Sequence, residues 1–334
     1  MLRVLGVVKV ATADQIQRLT RPHLTFRHPS GAGGRRSKTH RNAALDLAGH
    51  GYVRSEGHTP QREKLWGLTP AGLAAAAGVL DRPAGEMGGI ARGAGVHGAA
   101  HARAVTEAIL ALSRPRPAGL YYAQLAPADQ ACVDAMAEGI GVLEGWSTEV
   151  ALPAAGTWNK PGRGSAQADA VLTAPEDGLP VVFVEVDRGT MPPEQIAQKF
   201  DRYRRFFERT VNDPAGPVPW WSTRWQQGPQ EGFPPVLVVF TGRGERSLFQ
   251  RAQKTFALAG HHSLGERGAG AAWTDYRRTI PLLGTTLERL KERGPWGQAW
   301  WRADGEGVPQ TLTGALHPPD GYHAYLRRRE RAQR

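Results

Sequence analysis

A chain of 334 residues with 40% hydrophobic content is long enough for two domains that each bury a core. One cysteine, Cys132, excludes a disulfide framework and any multi-cysteine zinc site, and no apolar stretch approaches a membrane span. The net charge of +11 is uneven: residues 1–95 carry fourteen Lys/Arg against six Asp/Glu, and residues 96–334 carry twenty-eight against twenty-five. A basic, polyanion-binding module therefore precedes a near-neutral one, with biased codon usage the alternative source of the arginines. Met1-Leu2-Arg3 opens no signal peptide, so a soluble, cytoplasmic protein without membrane contact is expected.

Thr12-Ala13-Asp14-Gln15 fits a capping box and starts a short helix with Ile16 and Leu19 on its buried face. A basic, glycine-rich loop over residues 30–36, with Arg35 and Arg36, leads to a second helix that starts at Ser37 or Thr39. Its spacing turns Ala43, Ala44, Leu47 and Ala48 inward and leaves Lys38, His40 and Arg41 at the exposed amino-terminal end. In helix-turn-helix proteins that end of the second helix enters the major groove. Residues 51–54 and 65–68 read as a hairpin whose polar tip brings Arg62 and Lys64 near phosphates. Thr69 and Pro70 take the N-cap and N1 places of a further helix.

Helix, helix, hairpin, helix over residues 1–80 is the order of a winged helix-turn-helix. Its expected DNA contacts are Arg35, Arg36, Lys38, His40, Arg41, Arg62 and Lys64; a winged helix used for protein contact is the alternative. Residues 81–96 are rich in Gly, Ala and Pro and read as a linker. Gly88-Gly89 follows no strand and fits no phosphate loop.

From residue 97 the pattern changes to α/β. Residues 97–112 form a helix with Ala104, Ala108, Ile109 and Leu112 on its apolar face and Glu107 among its polar residues. His97 and His101 stand at i, i+4, but no glutamate follows the first, so ordinary surface or core histidines are expected ahead of zinc ligands. Cys132, beside Ala131, Val133 and Met136, is expected to be a small buried hydrophobe and not a nucleophile. Strands are expected at residues 146–152, around Asp169-Ala170-Val171-Leu172, and at residues 181–187. In the last of these, Glu185 and Asp187 share a face with Phe183. A helix over residues 192–209 buries Ile196, Phe200, Tyr203 and Phe207, with Lys199 at the border of that stripe. Residues 236–240 form a continuous apolar run, a buried central strand.

The resulting order, α-β-β-β-α-β with acids Asp169 and Glu185 on successive strands, resembles the PD-(D/E)XK nuclease superfamily, that is, a restriction-endonuclease-like domain over residues 97–290. Together with the preceding winged helix, Asp169-Ala170-Val171-Leu172, Phe183-Val184-Glu185-Val186-Asp187-Arg188-Gly189-Thr190, Lys199 and Tyr203 resemble the replication-relaxation family of bacterial plasmids and mobile elements. The resemblance implies double-stranded DNA as partner and Mg²⁺ held by Asp169 and Glu185. Its implied catalytic set is Glu107, Asp169, Glu185, Asp187 and Lys199. Asp187 departs from the pattern, because it stands where the motif Glu-x-Lys has its lysine; Lys199 is expected to replace that lysine from the helix.

Two readings stand: a metal-dependent DNA endonuclease, and an inactive DNA- or protein-binding regulator on a nuclease fold. A homodimer and replication or transfer proteins stay open as further partners. The extension over residues 291–334 is rich in Trp and Arg. Trp220, Trp221, Trp225, Trp296, Trp300 and Trp301 are expected to pack in loops, with base stacking as the alternative.

Overall fold

The computed structural model describes residues 1–27, 37–90, 96–141, 143–214, 216–228, 232–267, 274–305 and 307–317. Arg35, Arg36 and residues 318–334 of the expected extension lie outside the described residues. Two compact units are present, Met1–Val150 with Asp169–Leu172, and Ala151–Ala168 with Thr173–Arg334.

In the first unit α1 (Leu2–Val8) leads through β1 (Val10–Thr12) into α2 (Ala13–Thr20). The capping box forms as expected: Gln15 N donates to Thr12 Oγ1 at 3.2 Å and Thr12 N to Gln15 Oε1 at 3.1 Å. After α3 (Leu24–Arg27) and α4 (Lys38–Gly49) come β2 (Val53–His58), β3 (Lys64–Leu68) and α5 (Pro70–Leu80). Strand β3 lies between β1 and β2, antiparallel to both. Thr69 caps α5 by accepting from Gly72 N at 3.1 Å. Gly72 is needed there, since a Cβ would lie 1.8 Å from the Tyr52 carbonyl oxygen.

This unit continues along the chain beyond residue 80. Helix α6 (Val96–Ser113) packs Ala99 with Val10 and Leu65, and Thr106 Oγ1 donates to the Val10 carbonyl at 3.3 Å. Part of the segment expected as a linker is also packed: Met87 is buried and Gly88 N donates to the Gly6 carbonyl at 2.8 Å. Beyond α7 (Gly119–Ala123), α8 (Pro127–Asp134) buries Val133 and leaves Cys132 exposed, against the expectation of a buried thiol. Adjacent helical residues point about 100° apart, so the helix buries one of the two and not both.

The remaining chain is built on a mixed α/β sheet of order β13-β12-β9-β6-β5-β4. Its elements are β4 (Trp146–Leu152), β5 (Ala166–Ala174), β6 (Leu179–Asp187), α9 (Pro193–Glu208), β7 (Thr210–Asp213), β8 (Gly216–Pro219), β9 (Val236–Phe240), α10 (Glu245–Ala259), β10 (Glu266–Arg267), β11 (Thr274–Asp275), β12 (Leu282–Thr286), α11 (Leu287–Arg293), β13 (Trp301–Arg302) and α12 (Leu312–Leu316). Strands β6, β9 and β12 run parallel, in a register that sets Asp187 beside Phe240 and Phe240 beside Thr286. Parallel strands joined by helical crossovers are covered on their faces, which is why residues 181–184 and 236–240 are continuously apolar.

Ile196, Phe200, Tyr203 and Phe207 are buried as the spacing requires, and Phe183 meets the rings of Tyr203 and Phe207 edge-on at 5.8 and 5.3 Å. Trp220, Trp221, Trp300 and Trp301 are buried, so these four pack in the core and do not offer faces to bases. Among the described residues no helix is long and apolar enough to cross a membrane.

Helix α4 is rotated relative to the sequence expectation. Its inward residues are His40 and Ala44, with Leu47 and Ala48 half-buried, whereas Ala43 faces solvent. His40 is 7% exposed, with Nε2 3.1 Å from Thr20 Oγ1, so it is a packing residue and not part of the exposed helix end. Burial, reinforced by Arg21 and the terminal amine, lowers its pKa from 6.5 to about 4. The unfolded chain therefore takes up this proton before the folded one does. His40 costs no stability above pH 6.5 and progressively more as pH falls toward 4. Chemical denaturation at pH 7 and 4.5 should show a loss of about 2 kcal/mol attributable to this group, absent from His40→Gln. An identical pH dependence in the variant would overturn the assignment.

Candidate functional site

Two groups of expected residues are placed by the fold, one in each unit. In the first unit, the start of α2, the outer face of α4 and the β2–β3 tip enclose a cleft of about 540 Å³. Arg41, Arg62 and Lys64 line it together with Asp14, Glu63 and Trp66. Lys38 is exposed at the first position of α4, and Lys64 Nζ lies 4.8 Å from the centre of the Trp66 ring. Four of the seven expected DNA contacts are thus exposed on α4 or the hairpin, and His40 is withdrawn from them.

Two expected catalytic acids also belong to the first unit. Glu107 is held by Arg18 on α2: Arg18 Nη2 donates to its Oε1, and Gln15 Nε2 donates to the same oxygen at 2.9 Å. Burial opposes the Arg18 charge, but Glu107 and Asp14 outweigh it and raise the Arg18 pKa. Glu107 is therefore part of a cross-helix ion pair. Asp169 is paired with His101, whose Nε2 lies 3.2 Å from Oδ1. The His97 side chain lies outside what is described.

In the second unit the parallel strands end together, the edge where open α/β sheets place ligand sites. Glu185 and Asp187 are each 5% exposed at the carboxyl end of β6. Lys199 Nζ from α9 donates to Glu185 Oε2, and Tyr203 Oη donates to Oε1 at 2.5 Å. Lys199 thus reaches the strand-end acid, as expected from its place beside the buried stripe. Asp187 has a different partner: Arg251 of α10 donates from Nε to Oδ2 and from Nη2 to Oδ1 at 3.1 Å. The Gly189 amide adds a third bond to Oδ1 at 2.8 Å. Gly189 has φ +70° and a Cβ there would lie 2.8 Å from Arg243 Nε, so this turn needs glycine.

The two acids differ in what they can do. Mg²⁺ keeps several waters and takes one or two carboxylate oxygens. Lys199 and Tyr203 engage both oxygens of Glu185, so a metal oxygen there requires the flexible Lys199 stem to turn aside. Asp187 is held more firmly, by a bidentate arginine and a backbone amide that cannot turn aside in the same way. In this structure Asp187 anchors α10 and the turn at Gly189 to the end of β6.

A family model described as Replication-relaxation matches residues 2–219. The chain belongs to the replication-relaxation family. No curated protein and no solved structure matches it. The family match runs from α1 through β8, so it includes the cleft residues, Glu185, Asp187, Lys199 and Tyr203; Arg251 lies beyond it.

Arg251 is a site residue that sequence reasoning missed, and Tyr203 was named there without the role it has at Glu185. Tyr203 stood in the buried stripe, with no sign that its hydroxyl bonds an acid. Arg251 sits 64 residues from its partner in a helix without a motif. The signal was indirect: an acid buried at a strand end needs a cation from somewhere. Arg251→Met should destabilise the protein by about 3 kcal/mol in urea denaturation, because it strands a buried charge. Adding Asp187→Asn should recover part of that loss; strictly additive losses would show that the two side chains do not act as a pair.

Proposed function

We propose that this chain is a double-stranded-DNA-binding protein acting in replication or DNA processing, with the first unit used as a winged helix. The observation that carries this is the cleft in which Arg41, Arg62 and Lys64 converge from a helix and a hairpin tip, next to exposed Lys38. A helix end beside a hairpin suits a duplex: the helix enters the major groove while the hairpin meets phosphates. Lys and Arg side chains that pair with phosphates release counterions, so affinity falls steeply with salt. Membership of the replication-relaxation family supports the same reading.

The full chain should bind duplex DNA with a negative slope of log affinity on log salt. Replacing Lys38, Arg41, Arg62 and Lys64 by Ala should flatten that slope by about 0.9 for each phosphate no longer neutralised. A slope unchanged by the fourfold variant, or no binding at low salt, would overturn the proposal.

A second reading is favoured by one observation, the Lys199–Glu185 pair. It puts a cation on the strand-end acid although Asp187 occupies the motif's lysine place. In this reading the second unit hydrolyses phosphodiesters: Glu185 supplies a metal oxygen, Tyr203 and Lys199 orient its carboxylate, and Lys199 stands ready for a water or phosphate oxygen. The family resemblance also implies Asp169, of the first unit, among the catalytic acids. Bound Mg²⁺ would supply charge neutralisation of the phosphate and a more acidic water.

Incubation of supercoiled DNA with the full chain in Mg²⁺, Mn²⁺ or EDTA should show metal-dependent nicking. Glu185→Gln, Asp169→Asn and Lys199→Met should each abolish it without weakening DNA binding. No cleavage under any of the three conditions would leave the protein a regulator on DNA and end the hydrolytic reading.

A further inference from the structure

Away from these groups, α9 and the turn after α10 bring three metal-ligating side chains together. Asp201 on α9 and the adjacent His261 and His262 each offer a ligand atom, all within 4.8 Å of one another. His262 is 3% exposed, and its Nε2 lies 2.9 Å from Asp201 Oδ1. The two imidazoles face each other with ring centres 3.9 Å apart.

Two details distinguish this from a simple hydrogen bond. His261 Nδ1 lies 3.1 Å from the Leu258 carbonyl, which can only accept. The proton is therefore fixed on Nδ1 and the Nε2 lone pair is left for another partner, the arrangement by which backbone carbonyls orient metal-binding histidines. His262 Nδ1 is buried without a hydrogen-bond partner. Nδ1 is unsatisfied in either tautomer, so the ring proton that Asp201 holds on Nε2 can move to Nδ1, and the Nε2 lone pair then serves a cation shared with Asp201.

We propose that Asp201, His261 and His262 form a binding site for a borderline divalent cation, with Zn²⁺ as the best match. Two imidazoles and one carboxylate suit Zn²⁺ and its first-row neighbours, whereas Mg²⁺ and Ca²⁺ favour all-oxygen sites. Three protein ligands leave a fourth position to water. Ligands of a tetrahedral zinc lie about 3.4 Å apart, so the 2.9 Å pair is already close to that spacing and His261 needs to move by about 1 Å. The nearby Arg204 charge is engaged by Glu208 at 3.0 Å, which moderates its repulsion of a cation. The ion would fasten α9, the helix that carries Lys199 and Tyr203, to the turn that ends α10.

The test uses the full chain stripped with a chelator and titrated with Zn²⁺, and with Co²⁺ as an optical probe. One equivalent of Zn²⁺ should bind and raise the Tm, and Co²⁺ should give visible ligand-field bands. His261→Ala, at an exposed residue, and Asp201→Asn should each weaken binding by at least about tenfold, the loss typical even of a ligand's hydrogen-bonding support. Glu185→Gln should keep the zinc, which separates this site from the carboxylate at the end of β6. Absence of stoichiometric binding to the unaltered chain, or undiminished binding by His261→Ala, would overturn the proposal.

Discussion

Two carboxylates buried on the same face at the end of one strand set the terms for the second unit. At i, i+2 spacing their charges are about 7 Å apart and, at an effective dielectric of about 20, repel by about 2 kcal/mol. An ion pair at about 3 Å attracts by about 5 kcal/mol on the same scale, so a cation for each acid more than offsets the repulsion. The fold supplies two different cations from two different helices, Lys199 from α9 and Arg251 from α10. Both crossover helices are thereby tied to the carboxyl end of β6, in addition to the aromatic packing of Phe183 against α9. The unlike partners also divide the labour. An arginine with a planar fork locks Asp187, whereas a lysine on a flexible stem leaves Glu185 able to exchange partners.

Much of this architecture was legible because its signals are local. The capping box at Thr12, the N-cap and proline at Thr69-Pro70, the apolar β6 and β9 strands and the α9 stripe all state their structure within a few residues. Lys199 could be placed near Glu185 because the stripe fixes the phase of α9 and the strand fixes the facing of the acid. The misreadings have the opposite character. Arg251 is chosen by tertiary packing, so nothing near it announces its partner. In α4 and α8 the polar or small residues leave the phase ambiguous by one position. A small rotation of α4 then takes Ala43 out of the buried face and brings His40 into it, and in α8 Cys132 and Val133 exchange places, without offending any local pattern. Packing against neighbouring elements decides which side chain is buried.

The first unit shows how charge and packing share one small surface. Arg18 answers the acids of two helices, Asp14 on its own and Glu107 on α6. Asp14 also lines the cleft with Arg41, Arg62 and Lys64. The cleft is therefore basic but not uniformly so, with Asp14 and Glu63 set among its cations. Lys64 rests its ammonium over the indole of Trp66, so an exposed cation also covers apolar surface.

The position of α6 has a consequence for how such proteins are assembled over evolutionary time. Ala99 closes over Val10 and Leu65, and Thr106 and Glu107 bond to groups of β1 and α2. Helix, hairpin and third helix are thus not a self-sufficient cassette: separated from α6, they would present an apolar seam and an arginine without its second acid. Recombination that transplants this module onto another partner domain has to carry α6 along or replace it with a helix of the same apolar and acidic pattern. A junction between residues 113 and 118 keeps that seam, though not the bond from Thr148 to the Val7 carbonyl in the same unit, whereas one at the glycine-rich stretch near residue 90, where sequence composition suggests a natural break, severs α6 from the module.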